Sequence, residues 1–172
     1  MSRLRHFLES LGYRVEMSGL ALNLGPTRDL IERLDARLVT LAERDGLICV
    51  IGQSLGGVLA RNLARHRPEA VRSVVTLCTP VYFPVTTPLE PFARLLSPLH
   101  DPAWVAQRHT IAAPLGVPVT AIYSETDGIV DWRQCLLDGT PDQKNFRVDG
   151  VHSVMGSNPD AQRAIAYALA EH

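Results

Sequence analysis

The chain has 172 residues, 46% of them hydrophobic and 20% charged, which suffices for one domain with its own core. Its 17 basic residues against 18 acidic ones leave a net charge of −1, and so no electrostatic footprint for nucleic acid or an anionic membrane surface. No apolar stretch reaches the roughly 20 residues of a membrane span, and the N-terminus lacks the apolar run and small-residue cleavage site of a signal peptide.

In chain order, Leu4, Phe7, Leu8 and Leu11 recur at helical spacing and Gly12 follows where a helix would end. Residues 13–17 (Tyr-Arg-Val-Glu-Met) read as a short strand, and 23–26 (Asn-Leu-Gly-Pro) as a loop. Thr27 is a suitable N-cap for a helix whose apolar face carries Leu30, Ile31, Leu34, Leu38 and Leu41, with Gly46 closing it. Residues 47–51 are continuously apolar, as in a strand covered on both faces. A helix follows at once, with Leu55, Val58, Leu59 and Leu63 on one face and Arg61 and Arg65 off it. The arginines scattered along the helices read as a solvated surface.

Residues 71–77 and 118–123 are further buried strands, and 145–148 a shorter one. Asn158-Pro159 starts a last helix through Ile165 and Leu169. Strands alternating with helices imply an open, mostly parallel sheet flanked by helices, an α/β fold in a single domain over 1–172. Residues 81–115 are proline-rich and lack a long periodic pattern, although 91–96 could form a helix. An insertion of that kind reads as a lid or binding wall, or else as a surface excursion.

Three cysteines, Cys49, Cys78 and Cys135, form neither a metal spacing nor a CxxC pair. Cys49 and Cys78 lie in apolar runs, where a thiol is ordinarily a small inert hydrophobe. No histidine, aspartate and cysteine cluster has ligand spacing, so neither a metal nor a cofactor is expected.

The chemistry concentrates in Gly52-Gln53-Ser54-Leu55-Gly56-Gly57, between a strand and an amphipathic helix. A sharp turn that lifts Ser54 off the sheet forces strained backbone angles, and glycine is expected at both positions two residues away, Gly52 and Gly56. The same turn leaves the Leu55 N–H at a helix N-terminus, ready to stabilise an oxyanion. A serine needs a base, and His152 follows the last strand at the sheet's C-terminal edge, where sites of parallel sheets form. Residues 124–131 offer the acid: Asp127, followed by glycine, comes first, with Asp131 and Glu125 as alternatives.

Gly12-Tyr13-Arg14-Val15 with Asn23-Leu24-Gly25-Pro26, the run from Gly52 to Ala60, the run from Tyr123 to Val130, and Gly150-Val151-His152-Ser153 resemble the α/β-hydrolase superfamily, close to its bacterial lipase and esterase members. The resemblance spans nearly the whole chain in family order. It implies a nucleophile at Ser54, a base at His152 and an acid at Asp127, acting on a small-molecule carboxylic ester, with the apolar insertion pointing to an apolar acyl group. A thioester, an amide or acyl transfer would use the same residues. The departure lies upstream: the family's N-terminal strands and the loop giving the second oxyanion donor are lacking, which makes the fold N-terminally shortened. The alternative is therefore a weak or inactive binding protein on the same fold. An exposed sheet edge would also favour a homo-oligomer. As given the chain reads as cytoplasmic, although any targeting signal would precede the missing segment.

Overall fold

The computed structural model describes residues 2–19, 25–88, 95 and 97–171. Its helices are α1 (Ser2–Ser10), α2 (Arg28–Asp45), α3 (Leu55–His66), α4 (Pro102–Gln107) and α5 (Pro159–Ala170). Its strands are β1 (Ile48–Gln53), β2 (Val71–Leu77), β3 (Val119–Tyr123) and β4 (Gln143–Arg147). The four strands lie side by side in chain order and every pair is parallel. This is the open parallel sheet that the alternation of elements implies.

Side chains alternate across the sheet with period two, so each face gathers its own core. Val74 on β2 and Val119 and Ala121 on β3 face α2, α3 and the segment around Trp104 and Ile111. Val75 and Leu77 on β2 and Ile122 on β3 face α1 and α5. The caps follow the sequence. Thr27 Oγ1 accepts the Leu30 N–H (3.3 Å), Gly46 closes α2 with its N–H on Ala42 O (2.9 Å), and Asn158 Oδ1 accepts from Asp160 and Ala161. Among the described residues no helix is long and apolar enough to cross a membrane.

Two expectations need correction. Residues 13–17 form no strand. A strand exists only by pairing, and ion pairs to α2 hold this segment instead: Arg14 to Asp45, and Glu16 to Arg37 and Arg44. Leu11 lies past the end of α1 and is 50% exposed, leaving Leu4 and Leu8 as the buried stripe. β1 is covered on both faces, with Ile48 and Val50 packed on one core and Cys49 and Ile51 on the other, although it forms one edge of the described sheet and these residues are only half-buried.

The arginines depart furthest from the solvated reading. Arg61 is fully buried and donates to the carbonyls of Ile111 (2.7 Å), Ala112 (3.2 Å) and Ala113 (3.0 Å). Arg65, one turn on, donates to Thr110 (2.8 Å) and Ala113 (2.9 Å). The two side chains clamp the later half of the 81–115 stretch to α3. That half also buries Trp104, Ile111 and Leu115 in the core. Of the helix expected within 91–96, all but Leu95 lies outside the described residues, as do Asn23 and Leu24 of the expected loop.

Candidate active site

Ser54 sits between β1 and α3 with φ 53° and ψ −126°, a left-handed conformation that a non-glycine residue rarely adopts. The turn is held from both sides: the Ser54 N–H donates to Leu77 O (2.8 Å), while its own carbonyl accepts from Gly57 (2.9 Å) and Val58 (3.3 Å). Leu55 is the first residue of α3, so its N–H lies among the free donors at the positive end of that helix.

The glycines divide differently from the expected pattern. A Cβ on Gly52 would overlap the Gly56 carbonyl, and one on Gly57 would overlap Thr79. A Cβ on Gly56 would meet open space, so the crowded pair is Gly52 and Gly57. Thr79 is itself buried and donates to Leu77 O, which leaves it little room to move. We therefore expect Gly52→Ala and Gly57→Ala to cost about 2 kcal/mol or more, by overpacking. Gly56→Ala should gain about 0.5–1 kcal/mol by relieving helical glycine entropy. Thermal denaturation of the three variants measures this ranking.

At the same C-terminal edge of the sheet, the loops after β3 and β4 meet. Gly128 takes φ 80°, as a tight turn after Asp127 requires. Asp127 Oδ1 accepts the N–H groups of Ile129 (2.9 Å) and Val130 (2.6 Å), and Oδ2 lies 2.7 Å from His152 Nδ1. The His152 N–H donates to Asp127 O (3.0 Å). Ser124 Oγ accepts from Thr126 (3.1 Å) and Gly150 (3.2 Å), which ties the two loops together. The other two carboxylates of 124–131 are engaged elsewhere: Asp131 caps a short helical turn through Arg133, and Glu125 pairs with Arg147. His66, His100 and His109 lie on α3, near Trp104 and in the turn after α4, away from this cluster.

Burial raises the Asp127 carboxyl. The nearby Cys78 thiol and hydrogen bonds from the Val130 N–H, His152 and the Ile129 N–H outweigh it, so the group stays below the ordinary aspartate value. An ionised Asp127 accepts, which makes His152 Nδ1 the protonated nitrogen and leaves Nε2 free to take a proton.

Among the described residues the Ser54 hydroxyl makes no hydrogen bond to the imidazole within 3.5 Å. Gln53 spans the gap: its Nε2 donates to His152 O at 2.6 Å and joins the Ser54 turn to the histidine loop.

Two residues here escape sequence reasoning. Gln53 occupies a position in the motif where any side chain would satisfy the pattern. Cys78, just past β2, lies with its Sγ, an Asp127 oxygen and a His152 nitrogen all within 4.8 Å of one another. Its signal in the sequence is only its position at the carboxyl end of a buried strand. These three groups are potential metal donors, but the carboxylate already accepts two backbone N–H groups and the imidazole. Burial also keeps the thiol protonated, so the set fits a hydrogen-bonded chain better than a cation site.

The family described as alpha/beta hydrolase fold matches residues 11–112. No curated protein matches the sequence at a significant level. Among solved structures, an esterase from Pyrococcus furiosus superposes with a TM-score of 0.70 at 16% identity, over 99% of this chain and 74% of that one. A lipase-esterase related protein from Clostridium acetobutylicum gives 0.61 at 15% identity, over 98% and 85% of the two chains. A monoacylglycerol lipase from Paleococcus ferrophilus gives 0.59 at 17% identity, over 83% and 76%. At these identities the likeness is one of fold, and together with the family match over more than half of its length it makes this chain a member of the α/β hydrolase fold family.

Proposed function

We propose that the chain hydrolyses carboxylic esters through an acyl-enzyme on Ser54. The observation that carries this reading is the buried Asp127–His152 pair at 2.7 Å, set at the same sheet edge as the strained Ser54 turn. In the proposed sequence His152 Nε2 takes the Ser54 hydroxyl proton as Oγ bonds to the acyl carbon. The resulting oxyanion faces the Leu55 N–H. The ester C–O bond then breaks, and the leaving alkoxide receives that proton from His152. Water attacks the acyl-serine by the same steps in reverse and releases the acid. Asp127 holds the imidazole tautomer and stabilises the transient imidazolium.

The substrate proposed is a small ester with an apolar acyl group, bounded by residues 81–115 as a wall or lid. The anchoring of 110–114 by Arg61 and Arg65 supports a fixed base for that segment. The rival, a binding protein on the same fold, draws on the Ser54 hydroxyl, which makes no hydrogen bond to the imidazole among the described residues. Fluorophosphonate labelling of the parent chain separates the two: adduct on Ser54 supports the esterase, and none on a folded chain supports the binding protein.

The same reading sets the behaviour of Asp127→Asn. An asparagine in place of the carboxylate favours the wrong tautomer, and ester turnover should fall by about 10⁴. Stability carries an independent signature. The folded carboxyl sits below its unfolded value, so the ionised group stabilises the fold fully above the unfolded value. That contribution is lost as pH falls through the depressed value. The melting-temperature gap between parent and Asp127→Asn should therefore be constant near neutrality and close below about pH 4. A gap that persists unchanged into acid would show that Asp127 gains nothing from its partners.

A further inference from the structure

We propose that Cys78 is a positioning residue of this site, its thiol donating a hydrogen bond to the Asp127 carboxylate and so fixing the group that orients His152. The inference rests on the Ser54–His152–Asp127 reading and deepens it. Cys78 follows β2 directly, and its N–H extends the ladder by donating to Ile122 O (2.8 Å). The preceding carbonyl, of Leu77, accepts from Ser54 (2.8 Å). One turn of backbone thus touches the nucleophile segment on one side and the strand leading to Asp127 on the other.

Cys78 adopts φ 46°, a left-handed conformation that disfavours any residue with a Cβ. Glycine would hold that backbone without strain, but it would offer no donor. The side chain is 1% exposed and lies within 4.8 Å of both Asp127 and His152. Burial, and then the nearby Asp127 carboxylate, push the thiol well above its ordinary range, so it keeps its proton. Cys78, His152 and Cys135 each interact with Asp127. Cys135 is pushed up to about 12, by burial first and then by Asp127 and Asp131. Both thiols stay neutral through the working range, which leaves Asp127 and His152 as the pair that shares charge.

The plain alternative is that Cys78 fills space, since it also belongs to the apolar cluster with Val75, Leu77, Ile122 and Met155. The two roles rank substitutions in opposite order. A filler is replaced better by alanine than by serine, because serine brings a hydroxyl into an apolar pocket. A donor is replaced better by serine.

The test compares Cys78→Ser and Cys78→Ala with the parent by the NMR titration of the His152 ring, assigned with His152→Ala. Loss of the donor concentrates charge on the carboxylate and stabilises the imidazolium. The His152 midpoint should then rise in Cys78→Ala and return towards the parent in Cys78→Ser. The rate of fluorophosphonate labelling should fall about threefold to tenfold in Cys78→Ala and recover in Cys78→Ser. A parent-like midpoint in Cys78→Ala, or equal displacement in both variants, overturns the proposal. The titration needs no turnover. An unlabelled parent would thus count against Ser54 as nucleophile, while the His152 midpoints still decide the part played by Cys78.

Discussion

Ser54→Ala should remove fluorophosphonate labelling entirely and lower ester turnover by about 10⁶, and His152→Ala should cost nearly as much. The two losses share one cause. Serine oxygen is a weak nucleophile until a base takes its proton, and the base does nothing here without the oxygen. The double variant should therefore be no slower than either single one, leaving only what the Leu55 N–H and substrate binding supply. Stability should move the other way. Ser54 holds φ 53°, so Ser54→Gly relieves a conformation that costs a side-chain-bearing residue about 1 kcal/mol. A variant that melts higher and does not react would show that the strain is maintained for chemistry. Intact labelling of Ser54→Ala would place the reactive group elsewhere and end the assignment.

What the sequence discloses of this fold depends on how local each cause is. α2 is legible to its ends, because Thr27, Gly46 and the Leu30, Leu34 and Leu38 stripe act within a few residues. β2 is legible because it is central and buried throughout save Arg72. Residues 13–17 carry the same β-forming composition and remain irregular, since strand formation needs a partner that composition does not report. The apolar run of β1 reports its two covered faces, but it is equally consistent with a central strand and with the edge it forms here.

The site divides in the same way. Turn chemistry and chain order point to Ser54, Asp127 and His152, and the structure brings the segments that carry them to one sheet edge. The choice among Asp127, Asp131 and Glu125 rests in space on which carboxylate faces His152, and only the distances decide that. Gly56 and Gly57 exchange steric roles because the crowding comes from Thr79, 22 positions along the chain in the loop after β2. Cys78 reads as an inert filler in a strand-like run, and its contact with Asp127 exists only once β2 and β3 lie side by side.

Arg61→Ala should destabilise the chain by about 3 kcal/mol, seen as a fall in melting temperature of about 6–12 °C. Two opposing terms set that figure. Burial, helped by the neighbouring charge of Arg65, lowers the Arg61 guanidinium to about 10, so keeping it charged inside the protein has a real cost at neutral pH. Against this, the carbonyls of 111–113 receive its N–H groups, and deleting the side chain strands those of Ile111 and Ala112, leaves that of Ala113 to Arg65 alone and opens a cavity. Stranded acceptors cost about 1–3 kcal/mol each when water cannot reach them, so the loss outweighs the relief. Arg61→Lys should recover little, because a single ammonium cannot span three carbonyls as a planar fork does. Arg65→Ala is the control: its head is partly exposed, water can replace it, and the expected loss is about 1 kcal/mol. The damage should also be local. Limited proteolysis of Arg61→Ala should cut first within 108–115, at the segment the guanidinium holds to α3. If Arg61→Ala melts with the parent and is cut elsewhere, the packing of Trp104, Ile111 and Leu115 alone secures that segment. The arginine would then be a buried charge without a structural purpose.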